Sequence, residues 1–401
     1  MNIPPFSLDR QYSQIGDALE AAVVNVIKGG QYIGGIEVAK FEESFAALLG
    51  VKHAIGCNSG TDALILALRA LDIGRGDEVI TTSFSFFATA EAISLVGAKV
   101  LFADIDPNTY LMNTDNIESL ITENTKAIMP VHLFGNVVNM KSILSIAKKY
   151  NLKIIEDCAQ ATCSMWNGQK VGSIGDIGCF SFFPTKNLGA AGDGGAVTTS
   201  NDYLAQKISE LAVHGSPKRY THTRIGYNSR LDAIQAAVLN IKINLVSDWI
   251  NKRREVARNY FDLIKKNDFL SLPEFDADST FHSWNQFVIK LKNTNYSVKK
   301  DYLELFETDN NLNNSLRNFL KNRLLGLGIN SIIYYPIPIH SQKAYADKNY
   351  NRQSLQNTEK ICTEVISLPM FPEITFEEQS YIADNLNQLL NNYVEEIQIS
   401  A

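Results

Sequence analysis

Nothing in this chain offers a membrane a foothold, because no run of about 18 or more consecutive apolar residues occurs in it. A cationic surplus is missing as well. The 37 Lys and Arg are outnumbered by 43 Asp and Glu, for a net charge of −6, which excludes the basic face that phosphate backbones select. Cysteine is scarce: five residues, at positions 57, 158, 163, 179 and 362. Any pairing leaves one over, and the interval between Cys158 and Cys163 fits no usual zinc knuckle. No metal site is therefore expected, and the thiols read as reduced, mostly buried groups of a cytoplasmic protein. The opening MNIPPFSLDRQYSQ has neither the basic nor the apolar stretch of a signal peptide. Internal repeats are absent too.

What remains is an ordinary globular composition, 45% hydrophobic and 20% charged over 401 residues. That length suits one large domain and one smaller one, with boundaries expected at 1–250 and 251–401. Apolar positions recur at helical spacing over 14–28, 37–49, 61–71, 87–95 and 139–150. Between them lie short apolar runs at 78–82, 99–103, 126–131, 153–156, 177–183 and 195–199. Such alternation predicts an α/β fold whose sheet, mainly parallel, is covered on both faces. A long helix over 229–260 is expected to lead into a smaller α+β domain. Strands are expected there at 285–291 and 329–335, and helices at 316–325 and 376–394. The polar, Asn-rich stretch 293–314 reads as a surface excursion.

The residues with most to say lie between 156 and 195. Asp157 closes a buried strand, where ligands of open α/β sheets bind. A carboxylate there can keep a pyridine nitrogen protonated and turn the ring into an electron sink, although an Asp after a strand is also a common helix cap. Lys186 follows the apolar strand CFSFF and precedes GAAGDGG, a run that lets backbone approach a ligand closely or simply turns the chain. A lysine held in a partly dry site loses basicity and can form a Schiff base; on an ordinary loop it is a solvated charge. In NSGTDAL (58–64), Ser59 and Gly60 precede a helix that Thr61 opens, which is either a phosphate site or plain capping. Phe84, Phe86 and Phe87 cluster where a planar ring could stack, or where a core needs filling.

In combination these features resemble the sugar aminotransferases of the DegT/DnrJ/EryC1/StrS type. The resemblance is carried by Asp-x-Ala-Gln, Ser-Phe-x-x-x-Lys and Gly-Asp-Gly-Gly in that order. It runs from GQYIGGIEVAKFE at 30–42 to IIYYPIPIHSQKAY at 332–345. It implies a fold type I transferase that uses pyridoxal 5′-phosphate. The lysine matching Lys186 would hold the cofactor covalently, and the aspartate matching Asp157 would pair with its ring nitrogen. Gln160 would pack against the cofactor, Phe86 would stack on it, and Gly60, Thr61 and Ser181 would contact its phosphate. The run GYNSRLDAIQAA (226–237) matches a segment that reaches into the partner subunit's site. Asn228 would there bind the neighbour's phosphate and Arg230 would sit near its sugar, so the resemblance implies a homodimer with shared sites. Tyr335 and His340 are expected at the substrate. The chain is longer than expected for the family, with the excess at about 293–325.

The activity so implied is ping-pong transfer of an amino group, from L-glutamate, to a nucleotide-linked keto sugar, within amino sugar and O-antigen biosynthesis. The freed Lys186 amine would carry the proton between carbons. The flanking sequences look more like enzymes that aminate carbon 3 than carbon 4. Two rivals share the fold. A sugar dehydratase of this type has histidine where Lys186 stands, and a regulatory or binding protein would have kept the fold without turnover.

Overall fold

Seven strands form the central sheet, in the spatial order His53–Cys57, Gly195–Thr199, Ile177–Ser181, Lys153–Asp157, Thr125–Ile128, Glu78–Thr82 and Lys99–Ala103. Gly195–Thr199 runs antiparallel to both neighbours, and the remaining pairs are parallel. The structure is a computed structural model that describes residues 1–275, 279–292, 316–345 and 355–400. Neighbouring residues of one strand feed different cores: Ile80, Ile154, Phe180 and Ala196 belong to one cluster, and Val79, Ile155, Cys179 and Val197 to the other. Both faces of the sheet are therefore covered, which is why its strands read as short unbroken apolar runs. The helices Ile36–Leu49, Met140–Tyr150 and Ala233–Lys242 cover the first face, and Gly60–Ala70, Ala88–Leu95 and Asp202–Ala212 the second.

Side-chain caps fix where several of these helices begin. Ser59, Asn139, Asn201 and Asp232 each accept a backbone N–H two or three residues into their helix, satisfying a donor that the first turn leaves open. The strand expected at 126–131 is shorter, Thr125–Ile128, because Pro130 has no N–H to continue the ladder. The helix expected over 229–260 is two, Ala233–Lys242 and Val246–Leu263. Asn244 Nδ2 takes the Asn240 carbonyl at 2.9 Å at the break. The helix Asp202–Ala212 had no counterpart in the sequence reading.

A second, three-stranded antiparallel sheet is built from Leu270–Ser271, Phe287–Leu291 and Val365–Leu368. Its core includes Tyr260, Trp284, Phe287, Leu320, Phe371 and Leu386, with Ile3 from the start of the chain. Residues 329–335 do not form the expected strand: they meet Ile3 and Ser367 only through single bridges at Ile329 and Ile332. The excursion expected at 293–314 lies outside the described residues, and 316–325 falls in the helix Leu316–Gly326. All five cysteines are buried and unpaired. Among the described residues no helix is long and apolar enough to cross a membrane.

Candidate active site

The site gathers at the carboxyl ends of the parallel strands, where the loops after Thr82, Asp157 and Ser181 meet. Asp157 is 4% exposed. Its Oδ2 accepts from the Thr89 hydroxyl at 2.8 Å and its Oδ1 from the Ala159 N–H at 3.2 Å. A turn, not a helix, follows it, so the capping alternative fails. Burial pushes its carboxyl up from the ordinary range, while the hydrogen bonds and the Lys186 amine pull the other way.

Lys186 sits in the turn after Ser181, fixed by its N–H to the Phe183 carbonyl at 2.8 Å. The side chain is half-buried. Loss of hydration lowers its pKa to about 8, with Asp157 opposing the shift. Among the described residues the amine has no hydrogen-bond partner. A loop lysine in solvent would keep its ordinary basicity.

Ser59 Oγ takes the Asp62 N–H at 3.1 Å, which leaves the N–H groups of Gly60 and Thr61 uncapped at the positive end of the helix. Gly60 lies against Ser181: a Cβ added to it would come within 2.6 Å of the serine Cβ. Gly195 is pressed as hard, with the Ser59 carbonyl oxygen 2.4 Å from where its Cβ would be. The glycines of the run 189–195 all lie outside the positive-φ region. They are there for close approach, not for a left-handed turn.

Gln160 Oε1 accepts from the Phe134 N–H at 2.9 Å and its Nε2 donates to the Tyr335 hydroxyl at 2.8 Å. Tyr335 faces Phe86 at a centroid distance of 6.4 Å and Phe84 at 6.2 Å. The Phe86 ring is 59% exposed, so it is open to stacking in a way the buried Phe84 is not. Asp157 is thus linked electrostatically to Lys186 and Tyr335, Tyr335 joins Gln160 and Phe86, and Gly60 with Thr61 lies against Ser181.

Three expected residues are placed elsewhere. His340 is buried beneath the loop after Thr82. Its Nδ1 is 2.7 Å from Ser83 Oγ and its Nε2 is 3.2 Å from Glu359 Oε1. With both ring nitrogens engaged it supports the wall and leaves nothing for a direct substrate contact. Asn228 is exposed and Arg230 half-buried, and the arginine Nη2 donates to the Asn228 Oδ1. Between them, Ser229 Oγ donates to Asn58 Oδ1 at 3.1 Å, so the segment runs past the start of the Gly60 helix.

Sequence patterning passes over Thr89, because Ser85 lies before the helix Ala88–Leu95 and no helical spacing links the two. It also passes over His132 and Glu156, buried together at 3.0 Å, which no local pattern announces. With Cys158 they bring three metal-type donor atoms within 4.8 Å. Hydrogen bonds occupy them: the Ile174 and Gly175 N–H groups on Glu156, and the Val138 N–H on His132 Nδ1.

These residues fit pyridoxal 5′-phosphate: an unpartnered amine of reduced basicity, a buried carboxylate opposite it, an open aromatic face, and uncapped N–H groups where a phosphate would lie.

Comparison with known proteins agrees with that geometry. A family profile, DegT/DnrJ/EryC1/StrS aminotransferase family, matches residues 13–387. The chain is 42% identical over 389 residues to a UDP-N-acetyl-3-dehydro-alpha-D-glucosamine 3-aminotransferase of Acidithiobacillus ferrooxidans, covering 97% of this chain and 98% of that one. It is 42% identical over 370 residues to a dTDP-3-amino-3,6-dideoxy-alpha-D-galactopyranose transaminase of Aneurinibacillus thermoaerophilus, covering 92% and 94%. A pleiotropic regulatory protein of Geobacillus stearothermophilus is 40% identical over 395 residues, covering 98% and 100%. Among solved structures, S. venezuelae DesV in complex with a ketimine intermediate superposes with a TM-score of 0.89 at 33% identity, covering 97% and 98%.

Proposed function

The chain belongs to the DegT/DnrJ/EryC1/StrS aminotransferase family and is a pyridoxal-phosphate-dependent aminotransferase, and from that premise we propose that it aminates carbon 3 of a nucleotide-linked 3-keto sugar. The observation that carries the proposal is Lys186, its pKa lowered to about 8, in the turn after Ser181 and close enough to the buried Asp157 to interact with its charge. The position on the sugar rests on the names of the relatives, two of which act at carbon 3 on different nucleotides. L-Glutamate is the proposed donor.

Bound pyridoxal phosphate supplies a carbonyl carbon that accepts the amino group and a ring that draws electrons from the carbon being deprotonated. Lys186 would hold the cofactor and, once displaced, act as the base and acid for the proton. A pKa of about 8 leaves a useful fraction of neutral amine near neutral pH. Asp157 would face the ring nitrogen and hold its positive charge. The Gly60 and Thr61 N–H groups and the Ser181 hydroxyl would orient the phosphate, and Phe86 would cover a ring face. Tyr335, positioned by Gln160, would line the sugar side. The nucleotide adds binding energy remote from the reacting carbon, which can be used for orientation.

The proposed working unit is a cytoplasmic homodimer in which Asn228 and Arg230 complete the neighbour's site. Two features support it. Asn228 is exposed on the single chain, and that chain leaves Ile36 76% and Ile225 85% exposed. We also propose large and small domains divided near residue 250. The separate core around Trp284 supports this, and the helix Val246–Leu263 would cross between the two.

The regulatory name of one relative favours a second reading, a protein without turnover. Retention of Lys186, Asp157 and Ser181 together speaks for catalysis. The test is to load the protein with pyridoxamine phosphate and add UDP- and dTDP-linked 3-keto and 4-keto sugars. A 3-amino product identified by NMR is expected. A 4-amino product would move the chemistry to the other carbon, and no turnover of any candidate would favour the regulatory reading.

A further inference from the structure

Beneath Asp157 runs a short chain of hydroxyl groups. Thr89 Oγ1 donates to Asp157 Oδ2 at 2.8 Å, and the Ser85 and Thr89 hydroxyl oxygens are 2.8 Å apart. All three residues are buried. The proton order follows from their chemistry. A carboxylate has no proton to give, so the single Thr89 proton goes to Asp157, and Thr89 can then only accept the proton of Ser85. Thr89 lies in the first turn of the helix Ala88–Leu95 and its N–H meets the Phe86 carbonyl at 3.2 Å. One short segment therefore carries both an open aromatic ring and the hydroxyl that Asp157 accepts from.

Two hydrogen bonds support the negative charge of Asp157, the Thr89 hydroxyl on Oδ2 and the Ala159 N–H on Oδ1, and Thr89 is the only side chain of the two. Lys186, His132, Tyr335, Glu156, Cys158 and Cys179 are the titratable side chains close enough to act on it. His132 Nδ1 accepts the Val138 N–H at 3.3 Å and its Nε2 is 3.0 Å from Glu156 Oε2, so its hydrogen bonds go to groups other than Asp157. The Lys186 amine is less basic than usual, and it is the group that changes its own bonding when cofactor is held. Burial favours the protonated carboxyl, and the side-chain hydrogen bond that opposes it comes from Thr89.

We propose that Thr89, backed by Ser85, is a positioning residue that keeps Asp157 ionised, so that the proton between Asp157 and the cofactor's ring nitrogen stays on nitrogen. This rests on the assignment of Asp157 to the ring nitrogen in the proposed function. Without the hydroxyl, the carboxylate becomes the better proton acceptor and the ring loses its positive charge.

The experiment reconstitutes apoprotein with pyridoxal 5′-phosphate carrying ¹⁵N in the ring, and reads the nitrogen shift and the cofactor Kd. In T89V, which keeps the shape and removes the hydroxyl, the shift should move toward that of unprotonated pyridine. Cofactor affinity should fall by about tenfold or more, the scale of a hydrogen bond to a buried charge. T89S should return both to wild-type values, and S85A should move the shift less, in the same direction. A wild-type shift in T89V overturns the proposal. So does a T89S that behaves like T89V, since then the methyl group and not the hydroxyl matters. Should T89V fail to fold, a wild-type shift in S85A is the overturning result. Asp157→Asn separates the two levels of the argument. If it too leaves the shift unchanged, the ring-nitrogen assignment itself has failed.

Discussion

Gly60 and Ser181 are so closely apposed that a single added carbon on the glycine would fall 2.6 Å from the serine Cβ. The contact joins the start of a helix to the end of a strand 121 positions later in the chain, and it sets the width of the cup assigned to the phosphate. Gly60→Ala must push the two elements apart. Cofactor affinity should then fall by about tenfold or more, read by equilibrium dialysis, while far-ultraviolet circular dichroism stays native. Unchanged affinity would place the phosphate elsewhere.

Lys186→Ala should abolish turnover and the covalent fixing of cofactor by borohydride, with the fold intact. Peptide mapping of the wild-type protein after borohydride should find the label on Lys186. Labelling at Lys242, the other lysine lowered to about 8 by burial, or transamination surviving in the variant, would end the assignment.

The same lysine makes a pH-dependent statement about stability. It titrates near 8 when folded against an ordinary 10.5. Between those values the unfolded chain binds more protons, so its contribution improves as pH rises and is fully unfavourable below 8. Lys186→Met should therefore stabilise the apoprotein at pH 7 by about 1–3 kcal/mol, after discount for the part of the side chain that water reaches. The advantage should shrink toward pH 10. Urea titrations at both values would show it, and a pH-independent difference would mean that the amine is solvated.

Asp157→Asn should retain cofactor but slow transfer by several orders of magnitude, because the amide cannot hold the ring nitrogen's charge. Single-turnover kinetics separates that loss from weaker binding. A near-normal rate would remove Asp157 from the chemistry.

If the loop after Ile225 completes the neighbour's site, two dead proteins should repair each other. Mixing Lys186→Ala with the double variant Asn228→Ala, Arg230→Ala lets a heterodimer assemble one site from intact parts. Part of the activity should return. Heterodimers that form and stay inactive, or an active monomer in sedimentation, would refute the shared site.

Much of this could be read from the chain in advance, and the failures have causes. The strands 78–82, 99–103 and 195–199 fall where expected because both faces are buried and their apolar runs have sharp ends. Asp157 stood out because it ends a strand, and Lys186 because it follows one by five residues, each within a recognisable motif. The helix break at 243–245 left no mark, since Val238, Leu239, Ile243, Val246 and Ile250 continue the apolar pattern across it. The run 329–335 looks like a strand by composition, but its only bridging partners are Ile3 and Ser367. His340 sits in the family motif, yet Ser83 and Glu359, 257 and 19 positions away, decide that it is structural. No local pattern foretells such pairings.

The five buried thiols give the chain a practical property. Burial raises all of them, Cys163 to about 11 and Cys362 to about 12, and it is the thiolate that attacks an electrophile. A maleimide dye offered to the folded protein near neutral pH should find little to react with. One cysteine introduced at an exposed position, such as Tyr220 beside the proposed subunit contact, would then be the only handle. Its fluorescence could report assembly with every native cysteine left in place.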